Sequence, residues 1–390
     1  MKRKLHINIK GMAKDALGAI RAAKNRTKKI AETPADDIAA DAVTNLAQLL
    51  HPGVMRAEVQ SIENVGVSTK KVTFFSAKPV YFLPGTSLTI TLRIGESIAT
   101  RPYSICSSPS LGKQGIVSIL VKEVEDGFVS RYINRDLKVG DEVFLEIGLG
   151  NFSVDVIRDA PHIVAIAGGV GIAPFLAMAH HLNEQENPPY DLTILYGSRK
   201  ENDILCKEEL HELEGKAVKV IHVLSDEPSA KGEKGFINRD IIQKYSPDGP
   251  VSYFLCGPKR MEEFVFGELK SLGIDLRHVR SDCHTPSPRL KDSPRIYCLT
   301  VHQGESVRIL EAREDETLLE TLERAGIYVH SRCRHGVCGA CRMQVLSGEY
   351  EVTGDEDGRR AIDKQYGYVH SCRTYPRGDM EIRINIAILP

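Results

Sequence analysis

The sequence predicts a multidomain chain in four parts: a helical N-terminal extension, a small antiparallel β-barrel, a doubly wound α/β sheet and a compact α+β module. Three observations carry this. Short strand-like runs with turn residues between them fill residues 55–154. Strands then alternate with helices from Pro161 to Leu272, which calls for a parallel sheet. Near the C-terminus, Cys333, Cys338 and Cys341 crowd one loop, and Cys372 follows about thirty residues later.

The extension is the one anomaly of charge. Lys2, Arg3, Lys4, Lys10, Lys14, Arg21, Lys24, Arg26, Lys28 and Lys29 face a single acid, Asp15. Such a run is most simply a solvated, partly helical arm. Its functional readings are docking to an acidic partner or contact with an anionic membrane surface. Thr33 as cap and Pro34 at the first turn start a helix through Ile38, Ala42, Leu46 and Leu50, which His51-Pro52-Gly53 ends.

In the barrel region, strands are expected at Lys71 to Ser76, Ser87 to Arg93, Gly115 to Glu123 and Glu142 to Glu146. Arg101-Pro102-Tyr103-Ser104 lies among them. An arginine can hold a phosphate, a tyrosine can stack on a flat ring, and a serine can hydrogen-bond a ring nitrogen. Gly127-Phe128-Val129-Ser130 could offer backbone N–H groups to a phosphate at a helix start. Taken alone, both segments read as a turn and a core tyrosine.

The α/β region opens with a strand over Ile163 to Ala167, then Gly168-Gly169-Val170-Gly171, then a helix over Ala173 to Leu182. Glycines between a strand and a helix let a pyrophosphate approach the helix N-terminus. The plainer reading is a tight turn. Further strands are expected at Leu192 to Tyr196, Val218 to Leu224 and Ser252 to Cys256, with helices at Lys207 to Glu214 and Met261 to Leu272. Ser198, Arg199 and Lys200 suit a 2′-phosphate, and Glu201 suits a free ribose, so NADPH and NADH both stay open. Cys256-Gly257-Pro258 ends the fourth strand. Cys256 is either a neighbour of a nicotinamide ring or a small buried residue.

Thr285 to Arg295, with Pro286, Pro288 and Pro294, is a linker. Beyond it, strands are expected at Ile296 to His302, Ser306 to Glu311 and Met343 to Leu346, and a helix at Glu316 to Arg324. The spacing C-x4-C-x2-C with a distant fourth cysteine is that of a plant-type 2Fe–2S site. Gly336 and Gly339 allow a tight curl that turns amides toward the sulfurs. Structural zinc prefers two C-x2-C pairs, and only one is present. A disulfide suits secretion, to which nothing here points. Four cysteines suffice, so His335 is expected to be an exposed bystander. Cys106, Cys206, Cys283 and Cys298 lack ligand spacing.

Taken together and in this order, RPYS, GGVGIAP, YGSR and LCGP resemble the ferredoxin–NADP reductase superfamily, and the region Cys333 to Cys372 resembles a plant-type ferredoxin. The domain order resembles the phthalate dioxygenase reductase and phenylacetyl-CoA epoxidase reductase type. The likeness covers residues 53–390. It implies a flavin barrel at 53–155, an NAD(P) domain at 156–284, a linker at 285–295 and a β-grasp ferredoxin domain at 296–390, after the extension at 1–52. It further implies Arg101, Pro102, Tyr103 and Ser104 at a flavin, FAD or FMN, and Gly127, Val129 and Ser130 at its phosphates. Gly168, Gly169, Gly171, Ser198, Arg199, Cys256, Gly257 and Pro258 would hold NADH or NADPH. Cys333, Cys338, Cys341 and Cys372 would hold the cluster. Ser104 and Cys256 stand nearest the chemistry. Many relatives place a glutamate near the flavin where this chain has Arg280; Asp282 is the substitute offered by the sequence.

The expected function is an NAD(P)H-dependent flavin and iron–sulfur reductase that serves a partner protein: an oxygenase, a hybrid-cluster protein or a flavodoxin-like carrier. Two other readings are an electron-transfer subunit of a larger complex and, from a different class, a cluster-based redox sensor. The net charge of −1 argues against a general nucleic-acid binder. Nine cysteines without an apolar signal region place the chain in a reducing cytoplasm.

Overall fold

The computed structural model describes residues 53–125, 127–227, 232–282, 291, 293–353 and 357–385. The basic arm, the helix expected from Thr33, most of the linker and Cys283 lie outside the described residues.

Six antiparallel strands form the first layer: β1 Val54–Gly66, β2 Thr69–Phe75, β3 Ser87–Ile94, β4 Ser97–Ser104, β5 Ile116–Lys122 and β6 Glu142–Leu149. Their spatial order is β4-β3-β6-β1-β2-β5. A bridge between Ile105, just past β4, and Ile119 on β5 joins the two ends of the sheet. The barrel therefore has no open edge there. Alternate residues point inward, as Met55, Ala57 and Val59 do on β1. Two short helices interrupt the strands, the first unforeseen and the second at the helix start expected at Gly127. Ser108 caps α1 Pro109–Lys113 and accepts from the Leu111 N–H, while α2 Phe128–Arg135 starts at Gly127. Gly115, expected inside a strand, is a turn residue with φ +81°.

The second layer is a parallel sheet of β7 His162–Gly168, β8 Asp191–Ser198, β9 Val218–Leu224, β10 Glu233–Lys234, β11 Val251–Cys256 and β12 Val279–Ser281. Its order, β10-β9-β8-β7-β11-β12, is doubly wound. Helices α3 Ala173–Asn183 and α4 Lys207–Leu213 cover one face. Helices α5 Arg239–Tyr245 and α6 Lys259–Ser271 cover the other. Phe152, at the end of the barrel, enters this core and meets Phe254 edge-on at 5.2 Å and Phe175 at 5.9 Å. Barrel and parallel sheet thus share apolar contact.

The third layer is a mixed sheet of β13 Ile296–Gln303, β14 Ser306–Arg313, β15 Arg342–Ser347, β17 Tyr368–His370 and β19 Met380–Ile384, beside a small ladder of β16 Tyr350–Val352 with β18 Thr374–Pro376. The sheet's spatial order is β14-β13-β19-β15-β17. β13 pairs with β14 antiparallel and with β19 parallel. Helix α7 Leu318–Arg324 lies on it, with Leu318 and Leu322 buried against Leu299, Val301 and Ile382. Thr317 and Glu320 close a capping box at its start. The short α8 Ala361–Gln365 completes the compact ferredoxin-like arrangement that the sequence called for. Among the described residues no helix is long and apolar enough to cross a membrane.

Candidate redox site

The barrel strand β4 delivers Arg101, Pro102, Tyr103 and Ser104 in sequence, all half-buried. Burial pushes the Tyr103 phenol up to about 12, against the pull of the nearby Arg101 and Arg334 guanidiniums. Ser104 Oγ forms no hydrogen bond among the described residues, so it remains available to a ligand. Arg101 is partly committed: Nη1 donates to Glu323 at 2.9 Å and to the Thr100 carbonyl at 2.9 Å. Its Nε and Nη2 have no such bond among the described residues. The phosphate role of Arg101 thus shares one guanidinium with an ion pair that the sequence did not announce.

Gly127 sits at the start of α2. A side chain there would meet Ser130 Oγ at 2.3 Å. The Ser130 hydroxyl accepts from the Val124 N–H at 3.2 Å, and Val129 is buried in the barrel core. The Ser130 hydroxyl keeps its own O–H to donate, and the backbone N–H groups at the start of α2 are open to a phosphate.

On the parallel sheet, Gly168 ends β7 and Gly169–Ile172 forms one 3-10 turn before α3. A Cβ on Gly171 would lie 2.1 Å from the Cys256 carbonyl oxygen. The end of β11 packs backbone to backbone against this turn, which leaves no room for a side chain at Gly171. Gly169 has nothing within 4 Å of such a position and is the glycine left open. A Cβ on Gly257 would meet Met261 Cε at 2.5 Å, and Pro258 caps α6. Cys256 is buried and its thiol donates to the Asp282 carbonyl at 3.2 Å. Ser198 Oγ is shielded from solvent beside Tyr196 without a partner in hydrogen-bond geometry. An orphaned hydroxyl at the C-terminal end of β8 fits a nucleotide ligand. Arg199 is exposed and its Nε pairs with Asp203 at 3.3 Å.

Arg280 does not stand in for a proton-relay glutamate. It pairs with buried Asp159 at 2.6 Å, donates to the Asn151 and Ser153 carbonyls at 3.0 and 2.8 Å, and lies over the Phe254 ring at 5.3 Å. It ties the end of the barrel to the parallel sheet.

Cys333 sits beside Cys338 and Cys341 beside Cys372; in each couple the shared hydrogen bond lowers the first thiol and raises the second. The His335 N–H reaches Cys333 Sγ at 3.4 Å, so His335 is half-buried and contributes its backbone rather than standing exposed. Arg334 and Gly336 curl the loop with φ +55° and +77°, and only glycine adopts the second at no steric cost. Among the described residues no three His, Cys, Asp or Glu groups gather as for a single metal ion. Two pairs of thiols fit a binuclear cluster, which takes two thiolates on each iron, better than one tetrahedral zinc.

Two buried carboxylates, invisible as such in the sequence, flank this loop. Glu323 on α7 accepts from the Thr100 N–H at 2.9 Å, from Arg101 and from Arg334 at 2.8 Å. Glu146 on β6 accepts from His330 at 3.0 Å and from Arg332. Burial works to raise both carboxyls, and the arginines around them, with His330 at Glu146, hold them below the usual range.

Family models for the oxidoreductase FAD-binding domain, the oxidoreductase NAD-binding domain and the 2Fe-2S iron-sulfur cluster binding domain match residues 56–154, 165–266 and 301–377. A glycine betaine monooxygenase reductase subunit of Chromohalobacter salexigens is 27% identical over 338 residues, 79% of this chain and 89% of the relative. A 1,2-phenylacetyl-CoA epoxidase component of Escherichia coli is 27% identical over 345 residues, 82% of this chain and 94% of the relative. The solved structure of a phthalate dioxygenase reductase shares the fold with a TM-score of 0.63 at 22% identity, covering 86% of this chain and 98% of that one. The chain is an oxidoreductase with an FAD-binding, an NAD-binding and a 2Fe-2S cluster-binding domain in that order, and it shares the fold of the phthalate dioxygenase reductase.

Proposed function

We propose that the chain is the NADH-dependent reductase component of an oxygenase. The observation that carries this is the fastening of the loop of Cys333, Cys338 and Cys341, through Arg334 and Glu323, directly to the strand of Arg101, Tyr103 and Ser104. When bound, the nicotinamide supplies a hydride, the flavin accepts the electron pair, and the cluster releases electrons singly.

The residues divide the work. The free nitrogens of Arg101 and the N–H groups opening α2 hold the flavin phosphates. Tyr103 would lie against the flavin ring and Ser104 would hydrogen-bond a ring nitrogen. The turn at Gly169 and the hydroxyl of Ser198 receive the dinucleotide, and Cys256 shapes the place of the nicotinamide. Cys333, Cys338, Cys341 and Cys372 would hold the cluster. NADH is favoured over NADPH because Asp203 already neutralises Arg199, the cation a 2′-phosphate would need. The oxygenase partner follows from relatives whose names tie one to a monooxygenase and another to an epoxidase. Free Cys106, Cys206 and Cys298 agree with a cytoplasmic setting.

The test is anaerobic addition of NADH or NADPH to the purified protein. NADH should bleach the flavin faster than NADPH does, and the electron paramagnetic resonance signal of a reduced cluster should follow. Cys338→Ser should abolish that signal and leave flavin bleaching intact. A flavin that neither nicotinamide reduces would refute the reading.

A further inference from the structure

The residues on either side of Cys333 are both anchored in the flavin-binding barrel. Arg332 gives its guanidinium to Glu146, a barrel residue whose side chain is 6% exposed. Arg334 gives its own to Glu323, also 6% exposed, and to the Thr100 carbonyl at 3.1 Å. The exchange runs both ways: Glu146 is offered by the barrel to the ferredoxin domain, and Glu323 by the ferredoxin domain to the barrel. Glu323 also takes the Thr100 N–H and Arg101, a few residues before Ser104. At the edge of the same contact the Ser97 hydroxyl donates to the Arg324 carbonyl at 3.2 Å, and a Cβ on Gly326 would come within 2.4 Å of the Glu96 carbonyl.

We propose that Glu323 and Glu146 are positioning residues for the electron step from flavin to cluster: a pair of crossed ionic clamps that fix the loop of Cys333 against the strand of Tyr103 and Ser104. This rests on the reductase reading. The step itself moves one electron, oxidising the flavin and reducing the cluster by one each, and forms or breaks no bond to carbon. Its rate depends on how closely the two domains are held. Solvent-exposed ion pairs would hold them weakly, but these carboxylates are buried and multiply bonded, and a partner left behind is an uncompensated buried charge. Arg334 also keeps a left-handed φ of +55° that a non-glycine residue adopts only where its surroundings enforce it. The bonds to Glu323 and Thr100 supply that enforcement.

The experiment compares wild type, Glu323→Ala, Glu323→Gln and Glu146→Gln, each loaded with flavin and cluster. Stopped-flow traces separate flavin bleaching by NADH from the later reduction of the cluster. Glu323→Ala should slow the second step several-fold relative to the first, because electron transfer slows as the flavin and the cluster are held farther apart. Glu323→Gln keeps an acceptor for the Thr100 N–H and should recover part of that loss. The resonance line shape of the reduced cluster should stay that of wild type, since no ligand is altered. Small-angle scattering should show a more extended particle for Glu323→Ala, and a larger change when Glu146→Gln is added. Unchanged cluster reduction together with unchanged scattering in the double variant would overturn the proposal. A wild-type flavin that NADH cannot bleach would instead sink the reductase reading, and the scattering comparison would still decide the clamp.

Discussion

Gly171 shows how one residue can carry a motif for a reason other than the obvious one. A strand–glycine–helix segment invites the idea of a bare backbone kept clear for pyrophosphate. The nearest atom to a Cβ at Gly171 is the Cys256 carbonyl oxygen at 2.1 Å. The glycine lets two chain segments touch and so sets where Cys256 and Gly257 stand. Gly171→Ala must push β11 and its Cys256 outward. It should cost about 1–3 kcal/mol in chemical denaturation, as overpacking does, and raise the KM for NADH more than it lowers cluster loading. A raised KM with unchanged stability would return Gly171 to the ligand. At this scale the sequence was readable where chemistry fixes spacing: the four cysteines announce themselves because thiolates must wrap a cluster. Glu323 and Glu146 did not, because a lone glutamate on a helix or strand looks the same whether it faces water or an arginine from another domain. Arg332 and Arg334 were in plain view beside Cys333; only the fold supplies their partners. Arg280 is the reverse case. The sequence marked it as a departure from a glutamate, and the fold gives it a structural task with Asp159 instead.

Among the elements, those packed in the middle of the parallel sheet were legible and its short edge strands were not. The core strands β7, β8, β9 and β11 and the helices α3 and α6 carry enough apolar repeat to be placed within a few residues. The edge strands β10 and β12, with two and three residues, have no period to detect. Helix α7 matters most for function, since it carries Glu323. Its start rests on the Thr317 capping box, with the Glu320 N–H donating to Thr317 Oγ1 at 3.2 Å. Thr317→Ala should cost about 1 kcal/mol of stability. Because the cap lies at the far end of α7 from Glu323, that variant should melt earlier without separating flavin from cluster reduction. A selective loss of cluster reduction would mean that the helix, and not its carboxylate, governs the domain contact.

For the whole molecule, carboxylates at domain junctions make acid the natural way to part the domains. Glu209 on α4 takes Lys71 of the barrel at 2.8 Å and His180 of α3 at 2.8 Å. Burial pushes its carboxyl up, but those hydrogen bonds prevail and bring it from 4.5 down to about 2. A carboxyl depressed in the folded state adds stability above the unfolded value and loses it as pH falls through the folded one. Stability should therefore drop between about pH 4.5 and about 2, and Glu146 and Glu323, also depressed, add to the same fall. Glu209→Gln should be less stable at pH 7 and show a flatter acid limb in denaturant midpoints. An acid limb as steep as that of wild type would place the sensitivity elsewhere.

The central claim is that one polypeptide gathers an electron pair and passes it on singly. Reductive titration with NADH under strict anaerobiosis measures this directly, followed by both flavin absorbance and the cluster's resonance signal. Two electrons in the flavin and one in the cluster require about 1.5 NADH per chain. An endpoint near 1.0 with no cluster signal, or no uptake at all, would contradict the account.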